Sequence, residues 1–162
     1  MNWGISNTLE TTFTDLVPVQ KYLVKFQVIH DPNWLAGFVS GEGCFYVDIY
    51  KNKASKLGVA IKLVFKLTQH SKDEELIRSL IDYFGCGNIY KHREAFEYKV
   101  VKISDIQEKI IPFFKYYLIL GVKSKDFADF CQALDIVKIK NFTEDKLDEI
   151  RRIKSGMNKG RK

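Results

Sequence analysis

The most informative segment of this chain is Trp34-Leu35-Ala36-Gly37-Phe38-Val39-Ser40-Gly41-Glu42-Gly43. Gly37 and Gly41 are four positions apart, so a helix through this segment carries both on one face. Helices approach backbone to backbone only over such small residues, either inside one domain or between two chains. Glu42 falls at the carboxyl end of that helix, where the macrodipole disfavours an anion by about 0.3–1 kcal/mol. We therefore expect a cation near Glu42.

The residues around this segment predict a helix followed by a hairpin. Asp31 or Asn33 can cap the helix, Pro32 suits its first turn, and Gly41 and Gly43 end it. Strict alternation then predicts two strands joined by a turn. The inward residues are Phe45, Val47, Ile49, Val59, Ile61, Leu63, Phe65 and Leu67. The outward residues are Tyr46, Asp48, Tyr50, Ala60, Lys62, Val64, Lys66 and Thr68.

A second helix and hairpin follow. Ser71 and Glu74 have the spacing of a capping box, ahead of an apolar stripe that stops at Gly85. Residues 85–103 then predict a hairpin. Its polar face would show Asn88, Tyr90, His92, Glu97 and Lys99.

The last part of the chain is predicted to be helical. Ser104 caps a further helix that is bent at Pro112, and two more helices are split near Asn141, with Thr143 as a cap. The order helix, hairpin, helix, hairpin, helices indicates an α+β domain over residues 31–162. Helices should cover one face of its antiparallel sheet and leave the other open.

Composition limits the class of protein. The chain has 162 residues, 46% of them hydrophobic, which excludes disordered and fibrous classes and indicates one domain. No apolar run reaches the roughly 20 residues of a membrane span. Three cysteines without a C-x-x-C pair indicate a reducing interior rather than a disulfide framework. No secretory or transit signal is evident at the start.

The formal charge of +6 is unevenly distributed. The first hairpin carries several outward or turn lysines against one acid, Asp48. These are Lys51, Lys53, Lys56, Lys62 and Lys66. Such a face is either simply solvated or reads a nucleic-acid groove, because lysines neutralise phosphate while the side chains between them meet base edges.

The segment WLAGFVSGEG resembles the signature of the LAGLIDADG homing endonucleases. The resemblance continues to residue 161 through GEGCFYVDIYKN, LVFKLTQHSKDEEL, GCGNIY, IIPFF, GVKSKDFADF and IRRIKSGMNKGR, which are similar to the C-terminal repeat of the two-repeat, organellar intron-encoded branch. It implies a single αββαββα domain whose curved four-stranded antiparallel sheet rides in the DNA major groove. It also implies an organelle-encoded protein, mitochondrial or of another organelle.

The resemblance assigns roles to individual residues. Glu42 and the Gly41 carbonyl would bind Mg²⁺, for which Ca²⁺ or Mn²⁺ can substitute; Gln69 would lie near the attacking water and Lys123 near the scissile phosphate. Spacing alone would make the last two a strand-end amide and a surface lysine. The DNA-binding residues would be Tyr46, Asp48, Tyr50, Asn52, Lys53, Lys62, Lys66, Thr68, Asn88, Tyr90, His92, Glu97 and Lys99. The dimer interface would be Trp34, Gly37, Phe38, Ser40 and Gly41.

This chain carries one signature, whereas cleavage of two strands needs two carboxylates. We expect a homodimeric, metal-dependent double-strand DNA endonuclease with a long pseudo-palindromic site. The alternatives are a DNA-binding half-enzyme that needs a separate N-terminal repeat, or an intron RNA maturase without cleavage. Residues 1–4 echo residues 157–160, so residues 1–30 resemble a linker between repeats.

Overall fold

The sheet and its helices follow the predicted order. The computed structural model describes residues 29–161; the predicted linker therefore lies largely outside the described residues. The elements are α1 (Pro32–Glu42), β1 (Gly43–Lys51), β2 (Val59–His70), a 3₁₀ turn (Ser71–Asp73), α2 (Glu74–Phe84), β3 (Asn88–His92), β4 (Ala95–Val100), α3 (Ile103–Asp105), a π-helical segment (Ile106–Ile110), α4 (Ile111–Tyr116), α5 (Lys123–Val137), α6 (Glu144–Gly156) and a 3₁₀ turn (Asn158–Gly160).

The four strands form one antiparallel sheet in the order β1-β2-β4-β3. Phe45 on β1 stacks on Phe65 of β2 at 4.9 Å between ring centroids, and Phe114 of α4 meets both rings edge-on. The helices thus pack on the face that carries the odd-numbered residues of β1 and β2. The predicted α+β class with an open second face is confirmed, and Ile29, just before α1, also packs into the core.

Outward orientation does not always mean exposure. Val64 points to the open face, as the alternation predicts, but is only 1% exposed. Its cross-strand partner is Tyr46, and Lys66 Nζ lies 5.8 Å from the Tyr46 ring centroid. The longer side chains of Tyr46 and Lys66 cover the smaller Val64. Val64 is therefore buried on the open face of the sheet, although the alternation places it towards solvent.

Helix starts are predicted less well than helix positions. Asp31 caps α1 as expected, its Oδ1 accepting the Asn33 N–H at 2.8 Å. The capping box at Ser71 is wrong, because a 3₁₀ turn intervenes and the His70 ring accepts the Lys72 N–H instead. The cap at Ser104 is also wrong, since the helical run starts one residue earlier.

Two further helix predictions are partly right. Thr143 occupies the N-cap position of α6, but its side chain makes no capping hydrogen bond. Pro112 lies inside the helical run, as expected, and a π-helical segment, Ile106–Ile110, occupies the turn before it; the predicted bend itself stays a prediction. Local rewinding of this kind is a usual response to a proline that cannot donate its backbone hydrogen bond.

The carboxyl-terminal residues tie α5 to β1. Asp126, only 3% exposed in the first turn of α5, accepts hydrogen bonds from the Asn158 N–H at 3.0 Å and from Arg161 Nη2 at 2.9 Å. The Asn158 side chain donates to the Phe45 carbonyl at 2.9 Å. The first turn of α5, which begins at Lys123, is therefore fixed against the start of β1.

Asp126→Asn should weaken this connection without changing its shape. Removing the charge from a buried acceptor of several hydrogen bonds costs about 1.5–3 kcal/mol in the free energy of unfolding. Urea denaturation measures the change. Asp82→Asn, at an exposed position of α2, should stay within about 0.5 kcal/mol of the unmodified protein. Equal effects of the two substitutions would show that the connection contributes no stability.

Candidate active site and nucleic-acid interface

One face of α1 has no partner among the described residues. Trp34 is 47% exposed and stacks on Phe38 at 5.1 Å between ring centroids. A methyl group added at Gly37 or Gly41 would meet no atom within 4 Å. Packing against residues 29–161 does not explain these glycines, and packing against another helix stays the prediction for this face.

The loop between α4 and α5 extends this surface. Its side chains Leu118, Leu120 and Val122 are each more than 60% exposed. Ser40 connects the loop to α1, since its Oγ donates to the Ala36 carbonyl at 2.7 Å and accepts the Leu120 N–H at 3.0 Å. We call α1 and this loop the apolar surface. The sequence reasoning missed the loop, although an apolar run in a connection is a detectable signal.

A lysine contacts the carboxyl end of α1, but it forms no ion pair with Glu42, beside which the cation is expected. Lys123, the first residue of α5, donates from Nζ to the Gly41 carbonyl at 3.1 Å and to the Gly43 carbonyl. It thereby donates to the Gly41 carbonyl, one of the last carbonyls of the helix, which has no acceptor role within the helix itself. Glu42 is exposed. The structure therefore places the Lys123 ammonium group against the Gly41 carbonyl, and Glu42 is the next residue of the chain.

Gln69 lies at the same end of the sheet. Gly43 pairs with Leu67, so the residues after Leu67 run back along the end of α1. Gln69 is half-buried and pairs with Phe96 on β4. Its role near an attacking water stays a prediction.

The oxygen donors at this point suit a hard divalent cation but are few. Within residues 29–161 no three His, Cys, Asp or Glu side chains cluster as metal ligands. The Glu42 carboxylate and the Gly41 carbonyl are two donors of the type that Mg²⁺ prefers, out of about six that it takes. The carbonyl has a second lone pair besides the one that Lys123 uses. Glu42 and Gly41 thus supply at most two of the ligands that a magnesium site would need.

The open face of the sheet carries lysines placed over tyrosines of the next strand. The distances from Nζ to the ring centroid are 5.3 Å for Lys62 over Tyr50, 5.8 Å for Lys66 over Tyr46 and 5.0 Å for Lys99 over Tyr90. All three pairs are diagonal neighbours across two strands. Cation–π contact holds each ammonium group near a fixed position.

The other predicted DNA-binding residues differ in accessibility. Lys53, Asn88 and His92 are exposed, while Asn52 uses its side chain to accept the Ala54 N–H and shape the β1–β2 turn. Asp48 lies 3.8 Å from Lys154 of α6. These residues lie on the open face or its turns, but only some of them are free for contact.

Glu97 is buried on this face. Its side chain is 7% exposed, with Lys66 Nζ 2.8 Å from Oε2 and Lys99 Nζ 2.7 Å from Oε1. Burial raises the pKa of Glu97, but the hydrogen bond from Lys66 and the charges of Lys66 and Lys99 outweigh this effect and hold the pKa below its ordinary value. The carboxylate therefore stays ionised between two cations.

A sequence model of the LAGLIDADG endonucleases matches residues 35–134, from the exposed helix to α5. A probable intron-encoded endonuclease of Neurospora crassa is 35% identical over 97% of this chain. The chain belongs to the LAGLIDADG endonuclease family. The chain spans 36% of the length of that relative, and 25% of a second Neurospora crassa relative to which it is 37% identical over 82% of its own length.

Solved members of the family confirm the fold. The LAGLIDADG homing endonuclease I-SmaMI bound to cleaved DNA superposes with a TM-score of 0.85 and 45% identity over 100% of this chain and 55% of that one. I-LtrWI bound to target DNA gives 0.83 and 39% over 100% and 55%. A further I-SmaMI structure was solved with uncleaved DNA in the presence of calcium ions, with a TM-score of 0.83. Separately, no helix among residues 29–161 could cross a membrane.

Proposed function

We propose that this chain is a site-specific double-strand DNA endonuclease that acts as a homodimer on a long pseudo-palindromic site. The observation that carries the proposal is the exposed glycine face of α1, which ends in a single carboxylate, Glu42. The glycine face of α1 would form an interface, and Glu42 would belong to a complete metal site, only when a second such helix lies against the first.

A dimer with two-fold symmetry would supply the second half of the metal site. If two α1 helices cross over Gly37 and Gly41, the same residues meet on both sides and the two Glu42 carboxylates come together at the helix ends. Like charges at that distance repel, and divalent cations between them remove the repulsion. The apolar surface around Leu120 enlarges the contact beyond the helix pair.

The residues at the end of α1 then divide the work of phosphodiester hydrolysis. Glu42 and the Gly41 carbonyl would hold Mg²⁺, which, when bound, supplies Lewis acidity at the phosphate and at the attacking water. The Lys123 ammonium group has three N–H donors, of which two bond to the Gly41 and Gly43 carbonyls. The third would donate to a phosphate oxygen. Gln69 would orient the attacking water through its amide.

The open face of the sheet would bind DNA. A strand of about 10 residues spans roughly 33 Å, which matches about ten base pairs. Lysines of β2 and β4, each lying over a tyrosine of β1 or β3, would then face phosphates and base edges in the major groove. The solved relatives that superpose on the chain were bound to DNA, which supports this role.

A half-enzyme is the alternative that one observation favours. The superposed I-SmaMI chain is matched over only 55% of its length, so this chain corresponds to about half of that protein. A separate N-terminal repeat could cover α1 in place of a second copy. The names of the relatives as intron-encoded endonucleases also support an origin in an organellar intron.

One experiment tests activity, symmetry and target together. The purified chain is incubated with Mg²⁺ and a library of randomised palindromic duplexes, cleaved products are sequenced, and the mass of the free and DNA-bound protein is measured by light scattering. A dimer with selected palindromic products supports the proposal. A strict monomer that cuts nothing excludes the homodimer and leaves the half-enzyme.

A further inference from the structure

Glu97 is the exception on the basic open face. It lies on β4 opposite Thr68 of β2 and Tyr90 of β3, in the middle of the four-stranded sheet. Its side chain is only 7% exposed, which is too little for it to contact a base itself. A direct DNA contact therefore does not explain an acid at this place.

The two lysines next to Glu97 form an opposed pair. Lys66 and Lys99 are directly opposite each other on β2 and β4. Like charges at such positions destabilise a sheet. The Glu97 carboxylate contacts both, with a hydrogen bond from Lys66 at 2.8 Å and a charge contact from Lys99 at 2.7 Å. Oε1 has no aligned hydrogen-bond partner among the described residues, so Lys99 is the less firmly held of the two.

Each lysine also lies over an aromatic ring on an outer strand. Lys66 packs over Tyr46 of β1 and Lys99 over Tyr90 of β3. The five side chains Tyr46, Lys66, Glu97, Lys99 and Tyr90 thus form a row across all strands of the sheet. We call it the lysine row.

The charge of the lysine row argues against a simple role in affinity. Two cations and one anion leave a net charge of about +1, whereas phosphate binding gains from every additional cation. A free lysine side chain is flexible and contacts any nearby phosphate. A lysine held from two sides instead presents its ammonium group at a defined place, which is what contact with guanine O6 and N7 requires.

We propose that Glu97 is a specificity-determining positioning residue, which holds Lys66 and Lys99 for contacts with base edges and keeps them from neighbouring phosphates. The inference rests on the proposed function, since it takes the open face to be the DNA-binding face. Glu97 acts through the two lysines and touches neither DNA nor the reacting atoms.

Glu97→Gln tests this with a binding readout. The variant and the unmodified protein each select from a library of duplexes randomised at every position, with Ca²⁺ present, and affinity is measured against salt concentration. We expect about tenfold weaker discrimination at one or two base pairs of each half-site. Binding to unrelated DNA should become tighter. The dependence of the binding constant on salt concentration should increase by the amount expected for about one additional phosphate contact per half-site.

Glu94→Gln is the matched control. Glu94 lies in the β3–β4 turn with a side chain that is 88% exposed, and it contacts neither lysine of the row. The same charge change there should leave the base preferences as they are. Unchanged preferences in Glu97→Gln, or equal changes in both variants, would overturn the inference.

Lys99→Gln is a second test of the inference. It leaves Glu97 with a partner, because Lys66 still donates a hydrogen bond to the Glu97 carboxylate. We expect it to lose discrimination at a subset of the base pairs that Glu97→Gln affects, and a uniform loss of affinity would contradict the inference. If the unmodified protein binds all duplexes equally or not at all, the proposed function itself fails. If it selects a site and the variants select the same one, only the role of Glu97 fails.

Discussion

Glu42→Gln should abolish DNA cleavage and leave DNA binding intact. Glutamine keeps the size and one carbonyl oxygen of the side chain but removes the charge with which Glu42 would attract a divalent cation to the end of α1. Metal ions contribute several kcal/mol to the stabilisation of transition-state charge, so we expect a loss of at least about 10³-fold in the cleavage rate. Single-turnover cleavage of the selected duplex measures it.

The binding half of this prediction follows from the position of Glu42. The residue is exposed at the helix end and makes no hydrogen bond or ion pair with the described side chains, so its loss should not disturb the fold. Gel-shift affinity with Ca²⁺ should therefore change little. Glu108→Gln, an exposed acid far along the chain, should cut at the unmodified rate. Residual nicking or cutting by Glu42→Gln would show that another group binds the metal.

Local patterns were sufficient to predict the main elements. The alternation in β1 and β2 and the glycines of α1 are properties of adjacent residues, and the structure places these elements as predicted. The helix dipole predicts a cation beside Glu42, whereas Lys123 contacts the Gly41 carbonyl at that helix end. The resemblance assigns Lys123 to the scissile phosphate, so neither the sequence pattern nor the resemblance predicted this contact.

Features that depend on strand pairing were not predictable in this way. Glu97 and Val64 are both outward residues by alternation, yet both are buried, because cross-strand neighbours close over them. That requires the register that pairs Lys66 with Lys99 and Val64 with Tyr46, which no short pattern contains. The wrong cap at Ser71 has a similar cause, since its N–H donates to the Glu94 carbonyl across the sheet end.

Gly37→Leu should abolish pairing of the chain while leaving its fold intact. A side chain at this position projects into open space, and leucine has a helix propensity about 1 kcal/mol better than that of glycine. In a two-fold symmetric contact the substitution enters twice, and overpacking costs about 1–3 kcal/mol for each side chain. Dimer dissociation should therefore become at least about 30-fold easier, measured by sedimentation of the free protein.

Gly37→Leu should thus weaken pairing while it preserves or raises the stability of the single chain, and these opposite effects distinguish lost pairing from misfolding. Thermal unfolding of Gly37→Leu at concentrations where the chain is monomeric should occur at the same temperature or a higher one, whereas cleavage should be lost together with pairing. Gly156→Leu is the matched control, because a side chain there also meets no atom within 4 Å but lies on α6, away from the apolar surface. It should pair and cut normally. If Gly37→Leu pairs and cuts as well as Gly156→Leu, α1 is not the pairing face, and the exposed glycines need another partner.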